Sequence, residues 1–130
     1  MRLYHFSDKN NLKSLDPNEF GKNSFTKSDR KISDVPRVFF YTDPSQKESF
    51  FKTPSIFLYS TEVNKDLIYD LSEDKENLKN KFLSKRKDID ALLKHLASNN
   101  CQYKGLKYKT PQFDVVIWFE EINVTKISIP

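Results

Sequence analysis

Residues 102–129 read QYKGLKYKTPQFDVVIWFEEINVTKISI, and the way this stretch divides decides the fold. Val115, Val116, Ile117, Trp118 and Phe119 form an unbroken apolar run, β-branched and aromatic, of strand length rather than helix length. Such a run suits a strand buried on both faces. Thr110-Pro111 breaks the chain ahead of it, because proline disfavours helical geometry in the preceding residue. Glu120-Glu121 reads as a turn behind it, before Ile122. The stretch therefore reads as three strands, with Asp114 at the entrance of the middle one. An acid where a loop feeds a buried strand is desolvated on one side and open to a ligand on the other. A structural carboxylate capping backbone amides would sit in the same place.

Upstream of this stretch, Ile89, Leu92, Leu93 and Leu96 follow the i, i+3, i+4, i+7 spacing of one helix face, and Asn99-Asn100 ends the helix. That face is expected to lie against a sheet. A first helical piece follows Ser72, a short extended segment covers 66–71, and IFLYSTEV at 56–63 reads as a strand. Asp43, Pro44 and Gln46 have the spacing of a helix start, so a helix carrying Phe50 and Phe51 is expected to run until Pro54 stops it. Residues 38–42 read as a strand with Phe39 and Tyr41 on one face and Val38 and Phe40 on the other. Residues 16–35 show no period and read as a long loop. Residues 1–7, MRLYHFS, alternate as a first strand with Leu3 and His5 on one face. Ser7 is placed to cap a short helical turn bearing Leu12 and Leu15.

Length and composition narrow the function. At 130 residues the chain is one domain, 1–130, and its 11 Phe, 6 Tyr and single Trp supply a core despite a hydrophobic fraction of 37%. Two glycines exclude a glycine-rich phosphate loop and a dinucleotide-binding GxGxxG turn. One cysteine, Cys101, excludes an internal disulfide and a cysteine-based zinc cluster. No apolar run approaches membrane-spanning length and the N-terminus lacks an apolar signal core, so a soluble, cytoplasmic protein is expected. The net charge of +4 is uneven. Between Lys75 and Lys109 ten Lys/Arg face three acids, a net of +7, which leaves twelve basic against fifteen acidic residues elsewhere, a net of −3. Such a segment attracts acidic partners when it is more than a solvated face.

His5 and His95 are separated by most of the chain, which argues against a metal site. No serine sits on a recognisable nucleophile elbow. Taken singly, His5, Phe39, Phe40, Tyr41 and Asp114 have structural explanations.

Their order is more specific. LYHFS on the first strand, VFFYT on the second, FLYSTEV leading into DLIYDL, then YKGLKY, a short loop and DVVIWFEEI resembles the mono-ADP-ribosyltransferase superfamily. The likeness is greatest to its small prokaryotic and phage-type members with a His–Tyr–acid signature. It covers most of the chain in element order, through short motifs. The resemblance implies an α+β fold: a split, mixed β-sheet core of two small sheets, an NAD cleft between them, and helices outside. It implies an enzyme that uses NAD and releases nicotinamide. His5 would hydrogen-bond an NAD ribose hydroxyl, with Ser7 completing the H-x-S pattern. Tyr41 or Phe39 would pack on nicotinamide, since VFFYT fits the family's aromatic strand in two registers. Asp114 would be the catalytic acid, where the family's usual residue is Glu, one methylene longer. Gln112 would help position the acceptor. Without a glycine cradle, Arg37 and Arg2 are the candidates to hold the pyrophosphate. The loop at 109–112 would face the molecule modified, so the basic segment beside it implies a macromolecular acceptor with an acidic docking surface. A protein is expected ahead of a nucleic acid, and no membrane is involved. The alternatives are NAD hydrolysis by water, and an inactive domain that binds or inhibits.

Overall fold

The apolar run becomes an inner strand because both faces of the sheet around it are covered. The computed structural model describes residues 1–19, 32–44, 57–85, 87–111 and 113–128. Among them are strands β1 (Arg2–Ser7), β2 (Ser14–Leu15), β3 (Val38–Tyr41), β4 (Phe57–Glu62), β5 (Ile68–Asp70), β6 (Gly105–Lys109), β7 (Asp114–Trp118), β8 (Ile122–Asn123) and β9 (Thr125–Ile127), and one α-helix, α1 (Ile89–Ala97). Seven strands form a sheet in the order β5-β6-β7-β3-β1-β4-β9, and β2 pairs with β8 in a separate ribbon. β5 and β6 run parallel while the other neighbours are antiparallel, so the sheet is mixed and the class is α+β.

Along β7, Val116 and Trp118 point to one face and Val115 and Ile117 to the other, and all four are buried. The first face carries Leu3, Val38, Phe40 and Tyr59 and is covered by Leu15 and Ile122 of the ribbon and by Val124. The second carries Leu106, Ile117 and Tyr69 and is covered by Leu92, Leu93 and Leu96 of α1. Each of these three leucines, fully buried, contributes about 1.5–3 kcal/mol of transfer free energy. Asp88 caps α1 by accepting a hydrogen bond from the Ala91 N–H at 3.1 Å. Ile89, expected on the buried stripe, is 37% exposed at the first residue of α1.

Several elements differ from the sequence reading. The closing stretch forms four strands rather than three: β8 leaves to pair with β2, and β9 returns to pair with β4. The helical turn expected after Ser7 does not form. Asn11 takes a left-handed conformation, φ 63°, and the Tyr59 hydroxyl donates to the Lys9 carbonyl and accepts from the Leu12 N–H, which pins the segment open. Ser14 and Leu15 then enter β2. Residues 66–71 divide into a 3₁₀ turn, Lys65–Leu67, and β5. The piece after Ser72 becomes a π-helical turn, Lys79–Leu83. The helix expected from Pro44 lies, past its first residue, outside the described residues, as does most of the loop at 16–35.

The two small sheets expected are, in hydrogen-bonding terms, two halves of one. β1 and β4 stay in register over six pairs, from Arg2↔Glu62 to Ser7↔Phe57, and β3 and β7 over four. Between β1 and β3 the register is a single pair, Tyr4↔Tyr41. The half β5-β6-β7-β3 therefore meets the half β1-β4-β9 at one point.

Candidate functional site

His5 sits where β1 and β3 part. Its Nδ1 lies 2.8 Å from the Phe39 carbonyl oxygen. A carbonyl only accepts, so Nδ1 carries the proton and Nε2 of the neutral ring is an acceptor. A side chain thus occupies a backbone acceptor that a continued β1–β3 ladder would use. The ring packs on Phe40 at a centroid distance of 5.7 Å. Burial pushes the His5 pKa below its ordinary value of 6.5, and the hydrogen bond with the Phe39 carbonyl offsets this only in part, so the ring is neutral at pH 7.

Asp114 opens β7, on the far side of β3 from His5. Pairing alternates so that Phe40 lies opposite Val116, and Asp114, two residues before Val116, shares the face of Phe40 and His5. His5 and Asp114 therefore stand on one face, two strands and two residues of register apart, roughly 12 Å between backbones at ordinary strand spacing. Among the described residues Asp114 accepts no hydrogen bond. The loop ahead of it is held instead by Thr110, whose hydroxyl donates to the Phe113 carbonyl at 2.9 Å and accepts from the Phe113 N–H at 3.1 Å. The amide-capping role that its position allowed for Asp114 is thus filled by Thr110. Among the described residues the charged neighbour of Asp114 is Lys107, Nζ to Oδ2 4.0 Å.

The other residues singled out by sequence do not join this pair. Phe39 and Tyr41 alternate onto the opposite face: Phe39 packs under α1, and Tyr41 meets Phe113 edge-on at 5.5 Å. Either register of VFFYT selects an odd-numbered ring, and both odd positions of β3 point away from His5. Arg37 is buried on the far side, where Nη1 donates to the Ser33 and Val35 carbonyls at 3.0 and 2.9 Å. It serves to fold the chain back between the loop and β3. Arg2 lies at the surface with Nε 2.9 Å from Glu62. Ser7 does share the His5 face, buried, and its Oγ accepts from the Lys9 N–H at 3.1 Å. Gln112 lies outside the described residues.

Sequence reasoning missed Lys107 and Asp70. Lys107 Nζ is 3.9 Å from Asp70 and 4.0 Å from Asp114, so one lysine on β6 links acids on β5 and β7. The signal was present as alternation in KGLKYK, but linking the three needs the register Asp70↔Lys107↔Val116. Beside Lys107 a cavity of about 660 Å³ opens along β5, the sheet's edge. No group of metal-ligating side chains is present among the described residues. Lys81, Lys85 and Lys87 of the basic segment are exposed and form no ion pair among the described residues, Lys79 is exposed beside Asp74, and Lys75, Lys94, Lys104 and Lys107 each lie within 4.0 Å of an acid. Among the described residues no helix is long and apolar enough to cross a membrane. Compared with known proteins, the chain matches no protein-family profile and no curated protein.

Proposed function

We propose that the chain is an NAD-dependent mono-ADP-ribosyltransferase that modifies a macromolecular target and releases nicotinamide, with His5 and Asp114 as its working pair. The supporting observation is that a neutral histidine at the parting of β1 and β3 shares one face with an acid that, among the described residues, caps no backbone amide and meets only Lys107, at 4.0 Å. Cleaving the N-glycosidic bond of NAD puts positive charge on the ribose. The Asp114 carboxylate stabilises that charge and orients a ribose hydroxyl, most strongly where water is excluded. His5 hydrogen-bonds an NAD ribose hydroxyl. A protein side chain as nucleophile gives transfer, and water gives hydrolysis. Lys79, Lys81, Lys85 and Lys87 supply the surface that an acidic target would dock on. The finer assignment of an ADP-ribosyltransferase fold belongs to this proposal and rests on the sequence resemblance together with the near-division of the sheet.

The orientation of Phe39 and Tyr41 favours a second reading. Phe40, the ring beside His5, is fully buried in the core and not open to nicotinamide, so the domain would bind or inhibit without catalysis. One pair of measurements separates the two. NAD is titrated calorimetrically and nicotinamide release is followed, for the natural chain, His5→Ala and Asp114→Asn. The transferase predicts binding that His5→Ala weakens, and release that Asp114→Asn abolishes with little change in NAD affinity, because Asp114 acts on the transition state. Asp114→Asn should alter stability by less than about 1 kcal/mol, the usual limit for a part-exposed ion pair. NAD binding without release supports the inactive domain. Absence of NAD binding refutes both NAD-based roles.

A further inference from the structure

The cavity along β5 is a site that the proposed chemistry does not use. His5 and Ser7 lie on β1, across β3 and β7 from Lys107, while the cavity opens on the other side of Lys107. We propose that this cavity binds a ribonucleoside.

Its charges are balanced. Lys65, Lys75 and Lys107 line it together with Asp66, Asp70 and Glu73, and the Met1 ammonium, also on its wall, is offset by Glu62 at 3.6 Å. A ligand with net charge of either sign meets as much repulsion as attraction, so the occupant is neutral. Its hydrogen-bonding groups are one-sided, however. An ionised carboxylate only accepts and an ammonium only donates, so the ligand must offer donors and acceptors side by side. Hydroxyl groups do both, and a vicinal diol spans an acid and an amine. Lys107 is the group best placed for this. Its side chain is 19% exposed, and at 3.9 and 4.0 Å neither neighbouring carboxylate is in direct hydrogen-bonding contact with Nζ. Its donors are therefore directed at neither acid closely enough to be consumed.

A sugar alone would leave the rest of the wall without a role. Tyr103 lines the cavity and is braced edge-on by Tyr69, centroids 5.1 Å apart at 79°. Tyr69 is itself fixed, its hydroxyl donating to Asp74 and accepting from the Glu76 N–H at 2.9 Å. A braced ring beside hydroxyl-binding groups is a stacking platform for a flat heterocycle. Gln102, exposed at the rim, carries a donor and an acceptor for a base edge. The volume, about 660 Å³, lies within the range of small-molecule sites. A ribonucleoside matches neutrality, diol and ring together.

The inference does not rest on the transferase assignment, and a chain that never turns over NAD would leave it standing. The test is a two-dimensional amide NMR titration with adenosine, guanosine, cytidine and uridine, each beside its 5′-monophosphate. At least one nucleoside should give saturable shifts centred on the Gln102, Tyr103 and Lys107 amides, and its monophosphate should bind no more tightly. Asp70→Asn and Gln102→Ala should each weaken that nucleoside roughly five- to tenfold, the loss expected for one hydrogen bond. Gln102 is exposed, so its variant keeps the fold even if Asp70→Asn does not. No saturable shift with any of the four, shifts centred on β1 and β3 instead, tighter binding of the monophosphate, or unchanged affinity in the folded Gln102→Ala chain would each overturn the assignment.

Discussion

Gly105→Ala tests whether β6 holds the register that brings Lys107 between Asp70 and Asp114. A Cβ built on Gly105 would lie 2.8 Å from Trp118 Cε3 and 2.9 Å from the Ile117 carbonyl oxygen. Neither neighbour can yield easily. Trp118 is buried in the core and Ile117 O belongs to the backbone of β7, the strand paired with β6. Overpacking of this kind costs about 1–3 kcal/mol. Replacing a strand glycine with alanine returns roughly 0.5–1 kcal/mol of backbone entropy. The net expectation is a loss of roughly 0.5–2 kcal/mol, or a melting temperature lower by several degrees for a domain of this length. Because Lys107 is two residues along the same strand, the displacement should also alter the chemical shifts of Asp70 and Asp114. Thermal and urea melts check the first part. A double-mutant cycle with Trp118→Phe checks the cause, since phenylalanine lacks the outer ring that bears Cε3, and the two costs should then be less than additive. An alanine variant that melts at or above the natural chain would refute the packing argument and the β6–β7 register with it.

Lowering the pH should test His5. A histidine with a depressed folded-state pKa binds fewer protons when folded than when unfolded. Its contribution is therefore whole above about pH 6.5 and is lost as pH falls through the folded-state value. Melting temperature should fall between pH 7.5 and 5, and the slope should flatten in His5→Gln. Raising the pH should test Tyr69, whose pKa is pushed up to about 12 by burial and by Asp74. Stability from this group persists to about pH 10 and is lost toward pH 12, a loss on the order of 2–3 kcal/mol, and Tyr69→Phe should remove the effect. Asp74 accepts from the Tyr69 hydroxyl and from the Leu78 and Lys79 N–H groups while holding φ at 47°. Asp74→Ala should thus cost at least ~2 kcal/mol in urea melts, and Asp74→Asn clearly less, because Asn keeps an acceptor and tolerates the left-handed conformation.

Local pattern alone fixed the elements whose neighbours matter least. The run at 115–119 suited an inner strand, because five consecutive apolar residues leave no side for solvent. The spacing of Leu92, Leu93 and Leu96 gave α1 its buried face. The alternation of MRLYHFS put Leu3 and His5 on one face, as β1 has them. Tertiary structure decided everything that depends on which strands become neighbours. Alternation told Phe39 and Tyr41 from Val38 and Phe40, but not which pair would share a face with His5. That followed from the Tyr4↔Tyr41 pairing, a contact between residues 37 positions apart. The same holds for Lys107, an unremarkable lysine until β5, β6 and β7 pair and set it between two acids. It holds too for residues 8–13, where Tyr59, from a strand far along the chain, holds a segment open that local propensity would have wound into a turn of helix. Periodicity encodes which way a side chain points relative to its own element. Register across a sheet is set by long-range pairing and the packing on each face, and the chemistry of this site lies in that register.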